Sequence, residues 1–463
     1  MRSSIYGCGC GLRSSVALAI LAWPLSAPSA MPKRKELPKE KMSFIDNGTI
    51  KVGVNLALGG AITWVSKSGS AENVVNSHDL GRQIQMSYYS GPNPYIAGDK
   101  KPVEHWAKLG WNPIQSGDWA MNPSKVLEHK NDGRSIYVSC VPMQWPHDGV
   151  PGECTFEAWI RLEGSAARVR CRINNARSDK TLYSARHQEM PAVYVNGPYC
   201  RLMTYTNAEP FMGSPLAEIV KGPEVKGPWA SWTTTEFWAA QVNKRDWGLG
   251  VWQPATSRFI GGFAGRPGSG GPKDGPTGYI APIRSEFLDH NIGHEYGYAL
   301  ILGTLKEIRE WVYLNGKWAA MPAYDFSKDR QGWYHRPEID AGGWPLKEGL
   351  WVQTGEGGAS LTGPPSAWRA HDVPNLYVRA ASKGAGEATL YWSTLEKPAF
   401  GGERSVRFPV KGGGEFQDIQ VPLAGAPGYG GIITGVRLDP PSGEWFKLRW
   451  LVHRPMGPAT EQK

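Results

Sequence analysis

Residues 154–173 read CTFEAWIRLEGSAARVRCRI, and this stretch decides the fold class. Apolar and polar side chains alternate over 154–162 and again over 167–173, with the turn sequence Glu-Gly-Ser at 163–165 between them. Alternation with a period of two on both sides of a short turn predicts an antiparallel β-hairpin that turns one face toward a core.

The same pattern recurs along the chain, at 49–56 (TIKVGVNL) and 135–143 (SIYVSCVPM) among other places. The 463 residues include 57 glycines and 37 prolines, a density that disfavours a helical bundle. Strands do not alternate with long amphipathic helices, which argues against a doubly wound nucleotide-binding fold. One helix is predicted, because Thr304 and Glu307 form a capping box ahead of a helical apolar pattern. The predicted class is all-β.

Two domains are predicted, with a turn-rich connector near 315–322 between them. Residues 43–320 form a large antiparallel β domain, and residues 324–455 form a small β-sandwich or jelly roll. Six strands are predicted in the small domain, near 376–381, 388–394, 405–410, 415–423, 434–438 and 445–453.

The first thirty residues have the pattern of a secretory signal peptide. Arg2 and Arg13 flank a short apolar run at 16–25, and small residues follow at 27–30. Residues 31–42 are then a polar tail, and the mature protein is expected to be secreted or periplasmic. No later apolar run is long enough to span a membrane.

Four cysteines remain after the leader, and they permit either two disulfides or free thiols: Cys140, Cys154, Cys171 and Cys200. No closely spaced cysteine pair suggests zinc, and we expect neither a metal nor a cofactor. The net charge of +9 is spread along the chain, with only one compact basic run at 33–35. This disfavours nucleic acid as a partner and leaves a mild preference for an anionic substrate.

The segment 76–89 is the first candidate site, because polar and aromatic residues are dense there. In a strand beginning near Arg82, one face would be hydrogen-bonding and the other apolar. A face of donors and acceptors suits a hydroxyl-rich ligand, and a merely solvated strand is the alternative. The candidates are His78, Asp79, Arg82, Gln83, Gln85 and Tyr89, with Ile84, Met86 and Tyr88 expected in the core.

A second candidate is the tryptophan-rich segment 106–119. An indole ring stacks on the apolar face of a sugar while neighbouring amides and acids bind its hydroxyls. We predict such a platform from Trp111, Asn112, Gln115 and Asp118.

Two further candidates are acids near strands. His187 and Glu189 share one face of an extended segment and form either an acid–base pair or a structural pair. Glu236 stands at the entrance of the apolar run 237–242 and is either catalytic or a surface residue.

Together these motifs resemble those of the galactose-mutarotase-like β-supersandwich, the fold of aldose epimerases and of parts of many polysaccharide lyases and glycoside hydrolases. The matching segments are 59–62 (GGAI) and 81–85 (GRQIQ). The resemblance implies that Arg82 and either Gln83 or Gln85 bind a sugar. It also implies separated histidines and a late glutamate, roles open to His78, His187 and either Glu236 or Glu295. The tail, 324–455, resembles the carbohydrate-binding β-sandwiches of secreted glycan-degrading enzymes.

We therefore expect a secreted enzyme that cleaves a polysaccharide, with a glycoside hydrolase preferred. Hydrolysis would use two carboxylates from Asp79, Asp118, Glu189 and Glu236. The first alternative is a lyase, in which Arg82 neutralises a uronate, His78 or His187 is the base, and Tyr88 or Tyr89 is the acid. The second alternative is a carbohydrate-binding protein without catalysis. Nothing in the sequence indicates an oligomeric state.

Overall fold

The computed structural model of the protein describes residues 35–316, 321–339, 343–355 and 357–455. The signal peptide predicted at 1–30 lies outside the described residues, as do the start of the polar tail and residues 317–320 at the predicted connector. The described chain is built from antiparallel sheets, which confirms the all-β class.

The first part of the chain contains strands β1–β19, helix α1 and a short 3-10 helix at Glu104–Leu109. They are β1 (Met42–Asp46), β2 (Ile50–Asn55), β3 (Ala61–Lys67), β4 (Ile84–Ser87), β5 (Pro113–Ile114), β6 (Lys125–Asn131), β7 (Ser135–Val141), β8 (Met143–Gln144), β9 (Cys154–Glu163), β10 (Ala166–Asn175), β11 (Arg186–Asn196), β12 (Arg201–Thr204), β13 (Ala217–Glu218), β14 (Trp229–Thr233), β15 (Trp238–Val242), β16 (Trp247–Trp252), β17 (Arg258–Ala264), β18 (Thr277–Glu286), β19 (Gly293–Thr304) and α1 (Leu305–Asn315).

These strands form two large sheets in the described part of the chain. Sheet I has ten strands in the order β1-β2-β3-β4-β11-β18-β17-β14, with β5 paired to β4 and β8 paired to β5. Sheet II has nine strands in the order β13-β12-β15-β16-β19-β10-β9-β7-β6. One buried cluster joins their facing surfaces and includes Val52 and Ile84 from sheet I and Ile160 and Val169 from sheet II. The two sheets therefore form a sandwich around a single core.

The hairpin predicted at 154–173 is β9–β10, whose strands pair directly from Glu163 opposite Ala166. The alternation therefore fixed both the strands and the face that each turns to the core. The predicted capping box is also present, because the Thr304 hydroxyl accepts from the Glu307 amide and the Glu307 carboxylate accepts from the Thr304 amide.

The tail forms a second, smaller sandwich. Sheet III has the order β20-β30-β25-β28 with β22 on β30, and sheet IV has the order β21-β23-β29-β26-β27 with β24 on β29. Each of the six strands predicted there overlaps an observed strand. The elements are β20 (Ala323–Asp325), β21 (Tyr334–Arg336), β22 (Leu350–Gln353), β23 (Ser360–Thr362), β24 (Trp368–Arg369), a 3-10 helix at Ala370–Asp372, β25 (Asn375–Ser382), β26 (Gly386–Thr394), β27 (Ser405–Val410), β28 (Gln417–Pro422), β29 (Ile432–Asp439) and β30 (Trp445–Val452).

The two outer faces of the large sandwich differ. Helix α1 packs on the outer face of sheet II through Ile308 and Val312, in a buried cluster that also includes Ala367 and Ile432 from the tail. The outer face of sheet I has only a small apolar cluster around Trp229 and carries polar groups beside it. The outer face of sheet I is therefore covered by less apolar packing than that of sheet II.

The cysteines are thiols: Cys140, Cys154, Cys171 and Cys200 are unpaired, and the first three are buried. Burial raises the pKa of the Cys171 thiol to about 12, so it stays protonated. Across the ranges that the structure describes, no helix has the length and apolarity needed to cross a membrane.

Candidate functional site

Glu189 occupies the middle of the outer face of sheet I. It lies on β11 directly opposite Ser87 of β4 on one side and Ile283 of β18 on the other. Directly opposed residues of antiparallel strands project from the same face. The Glu189 side chain therefore points away from the core that fills the space between the two sheets.

Two tyrosine hydroxyls bind the Glu189 carboxyl group. The Tyr89 hydroxyl donates to Oε2 at 3.0 Å, and the Tyr279 hydroxyl donates to Oε1. Burial raises the pKa of Glu189 above its ordinary value, although the hydrogen bonds from Tyr279, Tyr89 and Ser87 act in the opposite direction. Only 9% of the residue is exposed. The group is thus a carboxylic acid that keeps its proton to a higher pH than a surface glutamate.

His187 lies two residues before Glu189 on the same strand and the same face. Crowding by protein atoms lowers the pKa of its imidazole, and the positive charges of Arg258 and Arg186 lower it further. A neutral imidazole can accept a proton, and a carboxyl group whose pKa is raised can donate one.

Aromatic rings border Glu189 on one side. The Tyr279 ring lies 4.8 Å from that of Tyr194 and 4.9 Å from that of Trp229, measured between centroids. Burial raises the pKa of Tyr194 well above its usual value, and so do the charges of Glu189 and Asp79, while Arg82 opposes them. Glu189 therefore lies among packed aromatic rings, of which those of Tyr89 and Tyr194 are partly exposed.

The predicted polar strand face divides into two parts. Gln83 and Gln85 are buried, and their side-chain amides bind the protein itself. Gln83 donates to the Asp79 carbonyl, whereas Gln85 donates to the Leu80 carbonyl and accepts from the Ser116 amide. Gln83 also has φ of 78°, so it precedes the regular strand. Only the end of the segment, around Tyr89, reaches Glu189.

The opposite face of this segment agrees with the prediction. Ile84, Met86 and Tyr88 all belong to the core between sheets I and II.

His78 and Arg82 hold the glycine-rich loop 265–276. The His78 Nδ1 atom lies 2.8 Å from the Lys273 carbonyl oxygen, and Arg82 Nη1 donates to the Gly275 carbonyl at 2.7 Å. The Asp79 carboxylate lies 3.6 Å from Arg82 Nε and also accepts from the Gly81 amide. This group borders the Glu189 site at Tyr194 and anchors the loop next to it.

The predicted tryptophan platform lies inside the protein. Trp111 has 0% exposure and belongs to the main core, so its ring has no free face for a sugar. Asn112 and Gln115 bind backbone groups of neighbouring strands. Asp118 accepts from the amides of Ala120, Asn122 and Gly149, which makes it a turn-stabilising residue. These four residues support the fold beneath the site.

Glu236 is also fully buried, on the opposite side of the large sandwich. Arg309 of α1 donates to both carboxylate oxygens, at 2.9 and 3.1 Å, and Tyr313 donates at 2.8 Å. The indole of Trp238 and the amide of Phe211 complete its hydrogen bonds. The structure thus does not bring Glu236 together with His187 and Glu189.

Sequence analysis did not identify Tyr194, Trp229, Arg258 or Tyr279 as site residues. Tyr279 donates to a carboxyl group 90 residues away, so no local pattern relates the two. The alternation of β18 does place Tyr279 and Ala281 on one face, but this pattern is equally typical of a core face.

The described part of the chain contains no cluster of side chains that could bind a metal ion. Within it, no three His, Cys, Asp or Glu side chains are placed so that they could hold an ion together.

The chain is similar in fold to solved carbohydrate-related structures. These include a galactose mutarotase-like protein from Lactobacillus casei (TM-score 0.37, 13% identity, 57% of this chain and 100% of that chain) and a galactose mutarotase related enzyme from Lactobacillus acidophilus (TM-score 0.32, 12% identity, 57% and 97%). A 4-alpha-glucanotransferase from Thermococcus litoralis is similar as well (TM-score 0.30, 10% identity, 60% and 40%). The predicted resemblance to the galactose-mutarotase-like fold is confirmed over about 57% of the chain, and at these identities it concerns the fold alone. No protein-family model matches the sequence, and neither does any curated protein.

Proposed function

We propose that the chain is an exported carbohydrate-active enzyme that cleaves glycosidic bonds by proton transfer at the Glu189 site. The observation that supports this most is the Glu189 carboxyl group itself, which is buried, hydrogen-bonded to two tyrosines and without a cation at ion-pair distance in the described chain. A buried acid of raised pKa is a typical general acid.

The partner of Glu189 in this proposal is His187. Residues two apart on a strand are separated by about 7 Å along the backbone. Side chains at that spacing can reach opposite sides of one sugar unit, with His187 as the base and Glu189 as the acid. Tyr194 supplies a partly exposed ring beside the acid, and sugars pack their apolar faces on such rings.

Of the four acids considered for hydrolysis, the geometry favours Glu189. Asp118 and Glu236 have all their hydrogen bonds inside the fold, and Asp79 is paired with Arg82. A site with one acid and one neutral imidazole fits elimination, which needs a single base and a single acid, as well as hydrolysis with His187 in the place of the second carboxylate.

The test is the activity of purified mature protein on neutral and acidic polysaccharides. Reducing ends report any cleavage, and ultraviolet absorbance of an unsaturated end reports elimination. We expect Glu189→Gln to lower kcat/KM about 10²- to 10⁴-fold, because the amide cannot transfer the proton.

Glu128→Gln is the matched control, since Glu128 is an exposed glutamate on β6. Equal activity of Glu189→Gln and wild type would place the chemistry elsewhere. A wild-type protein that binds glycans but cleaves none of them would identify a binding protein.

A further inference from the structure

A cavity of about 380 Å³ lies between strand β3 of sheet I and the glycine-rich loop 265–276. Trp64 and Ser77 line it from the side of the sheet, and residues 271–274 line it from the side of the loop. Its volume falls in the range of about 300–1,000 Å³ that is typical of small-molecule sites. The cavity is therefore large enough to be considered as a binding site in its own right.

Trp64 belongs to the same face of sheet I as Glu189. Val65, the next residue of β3, lies in the core between the two sheets, and side chains alternate along a strand. The Trp64 side chain therefore points to the outer face, where it is partly exposed. Its Nε1 atom donates to the Ser66 hydroxyl at 2.9 Å, and the Phe44 ring packs at nearly a right angle to it. These contacts fix the indole at the wall of the cavity.

The loop on the other side of the cavity is also fixed. The Ser77 amide donates to the Pro272 carbonyl at 2.6 Å, and the Gly268 amide donates to the Gly197 carbonyl at 3.0 Å. Glycine is needed at 197 for this close approach, because a Cβ atom there would lie 1.6 Å from the Ser269 carbonyl oxygen. Both walls of the cavity are thus held by the fold, so the site is preformed.

The charged groups at the cavity leave no surplus of positive charge. Lys273 Nζ donates to the Glu40 carboxylate at 2.6 Å, and the other charged residue among the described lining residues is Asp274. An anionic ligand would meet a negative wall, whereas the hydroxyl groups of an uncharged ligand can donate to carboxylates and carbonyls alike.

Two buried polar atoms beside the cavity have no hydrogen-bond partner among the described residues. One is the Ser77 hydroxyl, and the other is Asn196 Oδ1 at a second cavity of about 210 Å³, which shares Asn73 and Pro272 with the first. Leaving a buried polar group unpaired is costly, so a water molecule or a ligand hydroxyl is expected at such atoms.

The cavity lies next to the Glu189 site. The Asn76 amide, one residue before Ser77, donates at 3.0 Å to the carbonyl of Tyr194, whose ring is one of those around Glu189. Asn196 follows Tyr194 by two residues on β11 and therefore shares its face. A ligand that extends along this face past Tyr194 would reach the cavity.

We propose that the cavity binds an uncharged sugar unit, with the apolar face of the sugar on Trp64 and its hydroxyl groups toward Ser77 and the loop. The inference rests on the proposed function for the choice of a carbohydrate as the ligand. The unit bound here belongs to the same glycan as the one at Glu189 and lies away from the bond that is cleaved. Sugars pack on indole rings in this way, and fixed polar groups around the ring orient them.

The first experiment is calorimetric titration of Glu189→Gln protein, in which cleavage at the proposed site does not intervene. The probes are maltohexaose, cellohexaose and xylohexaose, and we expect at least one of them to bind. Trp64→Ala, added to this background, should weaken that binding about 10- to 100-fold, while Trp64→Phe should retain part of the affinity. Trp159→Ala is the matched control, because Trp159 is a partly exposed tryptophan on β9 of sheet II and should not affect binding. Thermal unfolding of each variant reports its folding.

Three results would overturn the proposal. The first is equal affinity of folded Trp64→Ala and its parent, and the second is the absence of binding of all three saccharides, which would leave water as the occupant of the cavity. The third is an effect of Trp64→Ala that is confined to an acidic saccharide such as hexagalacturonate, because the proposed ligand is uncharged.

The second experiment separates this proposal from the proposed activity. If the wild type cleaves a glycan, Trp64→Ala should raise KM for hexasaccharides with little change in kcat and should leave disaccharides unaffected, since these do not reach the cavity. Binding that depends on Trp64 without any cleavage by the wild type would contradict the activity and support the cavity site. Cleavage with the same KM in wild type and Trp64→Ala would support the activity and overturn the cavity site.

Discussion

Two of the buried glutamates of the large sandwich, Glu189 and Glu236, lie on its opposite outer faces, and their surroundings differ in one respect. Glu236, beneath α1, is bound by the Arg309 guanidinium, two hydroxyl or indole donors and a backbone amide. Glu189, on sheet I, is bound by two tyrosine hydroxyls, and no cation among the described residues lies at ion-pair distance from it. Burial alone therefore does not assign a role to a carboxyl group. The partner decides whether the group stays charged and structural or becomes a proton donor.

The largest expected effect is that of Glu236→Gln on stability. The substitution leaves the Arg309 charge buried without an anion, and breaking such a pair costs about 3–5 kcal/mol. Urea unfolding at neutral pH measures the loss. Glu189→Gln is the matched variant, and it should change the free energy of unfolding far less. Similar losses in both variants would remove the distinction between the two glutamates.

The second prediction concerns the pH dependence of stability. The pKa of Glu189 is raised in the folded state, so between its ordinary value of 4.5 and the folded value the native protein holds a proton that the unfolded chain releases. The free energy of unfolding contributed by this group must then fall as the pH rises through that window. Glu189→Gln should remove this fall.

Glu236→Gln provides the contrast for that measurement. Wild type and Glu189→Gln should agree at acid pH and diverge as the pH rises, with Glu189→Gln the more stable. The divergence should stay smaller than the loss caused by Glu236→Gln. A wild-type curve parallel to that of Glu189→Gln would mean that Glu189 titrates normally.

The third prediction compares the tyrosines that donate to the two glutamates. Tyr313→Phe removes a donor to a charged carboxylate and should cost about 1.5 kcal/mol with little dependence on pH. Tyr279→Phe removes a donor that lowers the pKa of Glu189, so that pKa should rise further. Unfolding at several pH values distinguishes the two. A pH-independent loss in Tyr279→Phe would contradict a hydrogen bond from Tyr279 that lowers the pKa of Glu189.

The smallest expected effect is that of Thr304→Ala. It removes half of the capping box at the start of α1 and should cost about 0.5–1 kcal/mol. Because α1 carries Arg309 and Tyr313 to Glu236 and packs on sheet II, cleavage at Glu189 should remain unchanged. Lost activity at full folding would mean that the two faces are coupled.

The local features of the fold could be predicted from the sequence. The alternation at 154–173 predicted the β9–β10 hairpin, and the Thr304 and Glu307 pair predicted the start of α1. The common face of His187 and Glu189 also followed from the sequence, because side chains alternate with a period of two in any strand. These features depend on backbone geometry over a few residues, which adjacent side chains are enough to specify.

The roles within the site were decided by tertiary structure. Arg309 is 73 residues from Glu236, and Tyr279 is 90 residues from Glu189, so nothing near either glutamate in the chain distinguishes the two. The same holds for Trp111, which has the neighbours of a sugar platform but lies in the core. Local sequence determines which way a side chain points from its strand. The charge state of a buried group depends on solvent access and on partners that only the pairing of distant strands brings near, since Coulomb and desolvation energies depend on distance in space.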